Sequence, residues 1–383
     1  MKTYSCKTTE NMKMVWKPLC LLKRYLILPT IIVLAFGAAL IGCGGNRQDE
    51  SEPFPPSVAR SVFVSGPDAY VAGQKYDPSQ KKYVATLWKN GAPQYLETQF
   101  ASSVGNSVFV SGGDVYVAGI QTKTERTDAS YLSYNGYATL WKNGAPQILG
   151  ANNYRGVINS VFVSGEDVYV AGAFDDAQGI PSIILKNGVP QPTDFNNGYG
   201  LSVYVANGDV YVAGNKTSIS DRGKSIAMLW KNGVAQNLNE NIKNVTGDAY
   251  ATSVFVSNEE DVYVAGHFEF ENYLVPILWK NGKHYYSPRT FIRSEANSVF
   301  VAESDSYVVG YTRFHGSMLT GPKYASLWKN DEQVQFLPAD SRQAQAYSVF
   351  VSDGDVYIAG VEGIEGQGAS ARLWKNGVAQ ELK

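Results

Sequence analysis

Short runs in which nearly every residue is apolar or β-branched, such as Val62-Phe63-Val64 and Val115-Tyr116-Val117-Ala118, alternate with breaks rich in Gly, Asn and Ser. Runs of this length and composition predict strands rather than helices. They recur in fixed order. Seven copies of S-V-F-V-S-G-x-D-V-Y-V-A-G, a variable stretch and A-T-L-W-K-N-G-x-x-Q-x-L begin at Ser61, Ser107, Ser160, Ser202, Ser253, Ser298 and Ser348, 42 to 53 residues apart. Each copy reads as four strands. Strand A is Val62-Phe63-Val64 and its counterparts, and strand B is Asp114 to Gly119. Strand C is Ala138 to Trp141, and strand D is Pro146 to Leu149. Asn143-Gly144, between C and D, is a strong hairpin signal because a type I′ turn needs positive φ at both central residues. Strands A and B show little apolar–polar alternation, which fits sheets covered on both faces.

Repeats of this period, each four short antiparallel strands, predict an all-β fold: a seven-bladed β-propeller of four-stranded antiparallel blades, one domain over residues 61–383. Repeat length and strand count resemble WD40-type blades, in architecture only, because the G-H and W-D signatures are absent. Some copies depart from the pattern. Blade 3 has Leu185 in the Trp position, blade 6 has Asn330-Asp331 for Asn-Gly, and blade 5 reads Lys283-His284-Tyr285-Tyr286. The last copy finishes strand D at Leu382, so no strand is left to lace the first blade to the last. Closure is expected by packing alone, with help from Pro53 to Arg60.

The N-terminus carries an address. Lys2, Lys7, Lys13, Lys17, Lys23 and Arg24, against Glu10 alone, precede an apolar run from Tyr25 to Gly42. A basic region followed by an apolar segment is a secretory signal, although the run is long enough to suggest a spanning helix. Leu40-Ile41-Gly42-Cys43 resembles a bacterial lipobox. That resemblance implies a lipoprotein signal peptide over residues 1–42, lipidation of Cys43 and attachment to a membrane through that lipid. It also implies that Gly44, which is not Asp, directs the product to the outer membrane where there is one. Residues 43–60 then form the lipidated Cys and a flexible tether. Asp49-Glu50-Ser51-Glu52 looks like the acidic stretch that exports some lipoproteins to the cell surface, and equally suits a solvated linker.

Without residues 1–42 the chain holds 27 basic and 34 acidic side chains, a net charge near −7. With no basic patch, nucleic-acid binding lacks its electrostatic driver. Cys6, Cys20 and Cys43 are the only cysteines, so residues 44–383 contain no disulfide, thiolate nucleophile or cysteine-bound zinc. His267, His284 and His315 are the only histidines, and no patterned third ligand accompanies His267 and His315. Asp175-Asp176, Glu269 and Glu271 offer carboxylates without a Ca²⁺-loop frame. There is no G-x-S-x-G, phosphate-cradling Gly loop or H-E-x-x-H. No catalytic residue, metal or cofactor is therefore expected.

Some residues repeat in every blade. Asp68, Asp114, Asp167, Asp209, Asp261, Asp305 and Asp355 open strand B; Lys89, Lys142, Lys186, Lys231, Lys280, Lys329 and Lys375 close strand C. Neighbouring antiparallel strands bring each Asp to the same end as its Lys, so a cross-strand pair is one reading. The preferred reading is that Asp hydrogen-bonds the turn backbone. Trp88, Trp141, Trp230, Trp279, Trp328 and Trp374 could stack on sugars, but a Trp at a fixed strand position is expected to fill inter-blade space.

The A–B and C–D turns are short in every copy, whereas the B–C and D–A connections are long and unequal. In an up-and-down blade the long ones collect on one face of the disc, where binding function is expected. That face is rich in aromatic and Arg side chains, the types enriched at hot spots. Tyr76, Tyr134, Phe268, Arg313 and His315 fall in B–C stretches; Tyr154, Arg155, Tyr199 and Arg293 fall in D–A stretches. These are the candidate contacts for a protein or glycan partner. The alternatives are a multivalent lectin using the repeated Trp, Gln and Asn, and a polysaccharide-cleaving propeller with an acid pair in its central pocket.

Overall fold

The computed structural model describes residues 56–124, 136–149, 156–175, 181–194, 198–218, 223–240, 242, 245–271, 273–286, 291–314, 321–330, 335–340, 343–363 and 368–383. Cys43, Tyr134, Tyr154, Arg155 and His315 lie outside them, as do the signal segment and all of the tether before Pro56. The described residues form 28 strands in seven consecutive groups of four. In blade 2 the strands are Ser102–Ser111, Asp114–Thr122, Gly136–Lys142 and Ala145–Ile148, each paired antiparallel with the next. Five blades are separate four-stranded sheets. Blades 5 and 6 are joined into one sheet by a single parallel pairing, Leu274 with Arg293. The protein is a seven-bladed β-propeller.

Two closed rings run round the axis through the inner strands. Phe63, Phe109, Phe162, Tyr204, Phe255, Phe300 and Phe350 each touch the ring of both neighbours, with centroids 4.6–4.9 Å apart. Those separations lie within the usual span of tilted aromatic pairs, and a heptagon of that side length places ring centres about 5.5 Å from the axis. The second ring is made of hydrogen bonds. The Ser that opens each repeat accepts, on its Oγ, the N–H of the Val one position further along strand A of the next blade. Val108 donates to Ser61 at 3.1 Å and so on round to Val62, which donates to Ser348 at 3.2 Å.

A bulge in every inner strand accompanies this arrangement. Between Ala59 and Ser61, and at the equivalent place in the other six blades, the register to strand B shifts by one residue. The bulge presses a strand A carbonyl onto the Gly that ends V-A-G. A Cβ at Gly310 would stand 1.8 Å from the Glu295 carbonyl oxygen, and the seven equivalent glycines all meet such a carbonyl at 1.8–2.1 Å. Only Gly allows that approach.

At the other end of each blade the repeated Asp, Lys and Asn form one cluster. Asp114 accepts from Lys142 Nζ and from Asn143 Nδ2, both at 2.7 Å, and Asn143 Oδ1 accepts the Val115 N–H at 2.8 Å. The cross-strand pair occurs in all seven blades. The preferred expectation is corrected here: Asn, not Asp, holds the backbone, because its side chain reaches strand B from a turn position with φ near 50°. Each Lys also lies over the ring of the strand B Tyr, as Lys142 does over Tyr116 at 5.3 Å.

The hydrophobic core lies between blades. Tyr70, Leu87 and Leu96 of blade 1 meet Val108, Val117 and Trp141 of blade 2, and each later junction repeats the scheme. The six repeated Trp are 0–4 % exposed. Four of them donate their indole N–H to a carbonyl of the preceding blade: Trp88 to Lys383, Trp141 to Glu97, Trp279 to Leu238 and Trp374 to Pro338. The outer strands are exposed but short, and Pro93, Pro146 and Pro190 blunt their edges. Closure between blades 7 and 1 is not by packing alone, which corrects the expectation: Ser57, within the Pro53 to Arg60 stretch, adds hydrogen bonds to blade 7. Ser57 N–H donates to the Ala369 carbonyl at 2.8 Å and Ser57 Oγ accepts from Ala371 N–H at 3.0 Å.

Replacing Ser253 with Ala would leave the Val299 N–H buried without its acceptor. The expected cost is about 1–3 kcal/mol in chemical denaturation with the fold retained; a change of a few tenths would mean that the ring of hydrogen bonds contributes little.

Candidate functional site

The carbonyl pressed onto each V-A-G glycine belongs to a residue whose partner on strand B directly follows that glycine. The seven register pairs at this rung are Val58–Gln74, Val104–Ile120, Val157–Ala173, Tyr199–Asn215, Tyr250–His267, Glu295–Tyr311 and Gln345–Val361. The backbone is the same each time, but the chemistry is not. Blades 2 and 3 are apolar here, and blades 1 and 7 combine one Gln with one Val. Blades 4, 5 and 6 carry only aromatic, amide, imidazole and carboxyl side chains. All seven rungs lie toward the face that bears the long connections.

The polar rungs are linked. Asn215 Nδ2 lies 3.4 Å from Ser225 Oγ, and Ser225 Oγ lies 3.3 Å from the Tyr250 hydroxyl. Ser225 N–H donates to Asp248 at 2.7 Å. The Tyr250 and His267 rings are 5.2 Å apart. His267 hydrogen-bonds the Ala296 backbone of blade 6, while its Nδ1 is buried with no hydrogen-bond partner among the described residues. Tyr311 donates to Glu295 Oε1 at 2.5 Å. Lys323 Nζ stands 4.3 Å from the centre of the Tyr311 ring, and the Arg313 guanidinium 5.9 Å. Arg293 is the register partner of Arg313.

Burial sets the protonation of this arc. It pushes the His267 imidazole below its ordinary range, against the opposing pull of Glu295 and the Ala296 hydrogen bond. Burial raises the Tyr250 phenol, with the charges of Asp248, Glu269 and Glu295 adding to it. The Tyr311 phenol is raised far more, first by burial and then by Glu295. Near neutral pH the Tyr250 and Tyr311 phenols therefore stay protonated and the His267 imidazole neutral, beside the carboxylates of Asp248, Glu269 and Glu295. No group of three or more His, Cys, Asp or Glu side chains among the described residues could hold a metal ion.

The structure sorts the sequence candidates. Arg293 and Arg313 come together on neighbouring strands of blade 6, both half-buried. Tyr199 is the register partner of Asn215 in blade 4 and packs against Ile120, Val157 and Ala173 of blades 2 and 3. Tyr76 is half-buried on strand B of blade 1, its ring 5.3 Å from Tyr83. Phe268 is corrected. It is 3 % exposed in the core between blades 4 and 5 and presents no surface to a partner. Strand B runs on to Phe270, so alternation turns His267 and Glu269 to one side and Phe268 to the other. Tyr250, His267, Glu295, Tyr311 and Lys323 were not among the candidates, although the residue after each V-A-G signals the divergence once the seven copies are aligned.

No family model matches the chain, and no curated protein matches it in sequence. Solved structures resemble it in fold. The β-propeller domain of the Trilobed protease from Pyrococcus furiosus is 10% identical, with a TM-score of 0.45 over 86% of this chain and 97% of that one. A catalytically inactive virginiamycin B lyase from Staphylococcus aureus, with quinupristin, is 8% identical, with a TM-score of 0.47 over 81% and 95%. The extracellular domain of a hybrid two-component system from B. thetaiotaomicron is 9% identical, with a TM-score of 0.48 over 84% of this chain. The chain spans 39% of that last protein.

The depressed imidazole makes a pH prediction. A His whose folded pKa lies below its unfolded value of about 6.5 contributes stability that is present above that value and is lost as pH falls through the folded pKa. Urea denaturation between pH 7 and pH 5 should show the wild type losing stability more steeply than His267→Gln; parallel slopes would contradict the burial of the neutral ring.

Proposed function

We propose that the protein is a lipid-anchored protein of the cell envelope that binds a protein or glycan through its loop face, with blades 4 to 6 as the contact region. The observation that carries this reading is the rung at which blades 2 and 3 stay apolar while blades 4, 5 and 6 turn polar and aromatic on the same backbone. Asn215 and Tyr311 are themselves buried, so the groups this rung can offer a partner are those of Tyr250, His267 and Glu295, half-buried on a rigid scaffold. The lipobox-like Cys43 and the tether after it would hold the disc at the outer membrane, facing the periplasm or the outside.

The multivalent lectin reading loses its main contacts. The repeated Trp are buried between blades, and four have their N–H engaged there. The repeated Asn are occupied with the strand B backbone and Asp. A glycan-cleaving activity is the second reading. The pairing of the Tyr311 hydroxyl with the Glu295 carboxylate favours it, and the raised Tyr311 phenol works against a tyrosinate nucleophile. Turnover of a polysaccharide would establish it.

The test is a glycan and polysaccharide array, with cross-linking on intact cells in parallel, probed with the protein and with a Tyr250→Ala, His267→Ala variant. Capture should be lost in the variant while the melting transition stays cooperative. Capture unchanged by the variant would place the binding site elsewhere.

A further inference from the structure

One junction between blades lacks a part that others share. In five blades strand D is followed by a Leu: Leu96, Leu149, Leu238, Leu337 and Leu382, each 2–9 % exposed. That Leu enters the core of the next junction, as Leu96 does with Leu87, Val117 and Trp141. Its N–H donates to strand C: Leu96 to Ala85, Leu149 to Ala138, Leu238 to Ala227 and Leu337 to Ala325, at 2.8–3.0 Å. Trp88, Trp141, Trp279 and Trp374 of the following blades donate their indole N–H to the carbonyl of this Leu or of the residue after it. The end of strand D thus supplies a side chain, a donor and an acceptor.

In blade 5 the sequence has Ser287 at the Leu position. Among the described residues, the core between blades 5 and 6 contains no side chain from strand D. Trp328, 4 % exposed, has no acceptor for its indole N–H among them. The Pro276 carbonyl, counterpart of Ala85, has no donor among them from beyond strand D. A cavity of about 20 Å³ lies at this place, lined by Pro276, Leu278, Tyr285, Val308 and Trp328 among others. Leu278, Val308 and Trp328 are the counterparts of the three residues that share a core with Leu96. Tyr285, on strand D at the outer rim, is 44 % exposed. Blade 3 also departs, with Thr193 at the Leu position, but there Ile184 and Met228 share the core with Trp230. A buried donor without an acceptor is costly, and a segment that brings one removes that cost.

We propose that the slot between blades 5 and 6 takes an extended segment of a partner protein, which completes what strand D of blade 5 leaves out. An aliphatic side chain of Leu type enters the cavity, its N–H meets the Pro276 carbonyl, and its own or the following carbonyl accepts the Trp328 indole N–H. The slot continues an interface that the end of strand D makes at the other junctions, and those junctions set the chemistry of the occupant. Adding a strand to a sheet edge is a general mode of peptide recognition. The enclosed space suits one small group, so it admits a branched aliphatic tip and excludes an aromatic ring. The slot opens at the rim and is independent of the reading of the loop face.

The experiment titrates the full chain in detergent with a capped peptide that copies Tyr95 to Thr98 of blade 1, and with the same peptide carrying Leu96→Ser. Binding is read from the indole N–H resonances of isotope-labelled tryptophan, with the Trp328 signal assigned by Trp328→Phe. The Leu peptide is expected to bind saturably and to move the Trp328 signal. Leu96→Ser in the peptide should weaken binding about tenfold or more, and Trp328→Phe in the protein should weaken it several-fold. Val308→Leu, which adds one methylene to the slot, should also weaken binding about tenfold without lowering the melting temperature. That variant decides the matter should Trp328→Phe disturb the blade. Equal binding of the Leu and Ser peptides, binding that leaves the Trp328 signal in place, or no saturable binding of the Leu peptide up to millimolar concentration would overturn the proposal.

Discussion

The molecule depends on a hydrogen bond made seven times between neighbours: strand A Ser accepting the N–H of the next blade's Val. Apart from the single Leu274–Arg293 pairing between blades 5 and 6, the blades share no sheet, so something must fix the rotation of each against the next. The bulge beside each Ser, the glycine that tolerates the displaced carbonyl and the collar of tilted aromatic rings all belong to this one device. The seam between blades 7 and 1 uses the same bond, Val62 to Ser348, which is why no lacing strand is needed.

A scaffold so uniform leaves few positions free to change. Strand C Trp, strand B Tyr, and the Asp–Lys–Asn cluster are each engaged in packing or turn geometry. The copies diverge at the loop-face ends of strands A and B, just past the glycine, where the backbone is the same in every blade and the side chain is not. There blades 4 to 6 depart from the others. Burial then adjusts the departures, keeping the Tyr250 and Tyr311 phenols protonated and the His267 imidazole neutral.

The fold is legible in the sequence because each strand is written seven times. Asn143-Gly144 announces its hairpin, and Trp141 announces an inter-blade core. The roles of Ser and Gly are harder to read. Nothing in Ser107 or Gly119 says that one will accept a hydrogen bond from a blade 54 residues on, or that the other will receive a carbonyl. The candidate site is legible in part. Arg293 and Arg313 stand out by type and prove to be partners. Phe268 stands out by type and proves to be core, because strand B continues beyond V-A-G and alternation decides its side. Tyr250 and Glu295 are hidden in strand A, where they resemble ordinary strand residues until the bulge register aligns them with Val58 and Val104.

Amide hydrogen exchange at the seven strand A valines tests the central claim most directly. A closed ring with equivalent links predicts that Val62, Val108, Val161, Val203, Val254, Val299 and Val349 exchange together, at the rate of global unfolding. Early exchange at Val62 with protection elsewhere would show the seam opening by itself, and the account of a ring closed by seven equal bonds would fail.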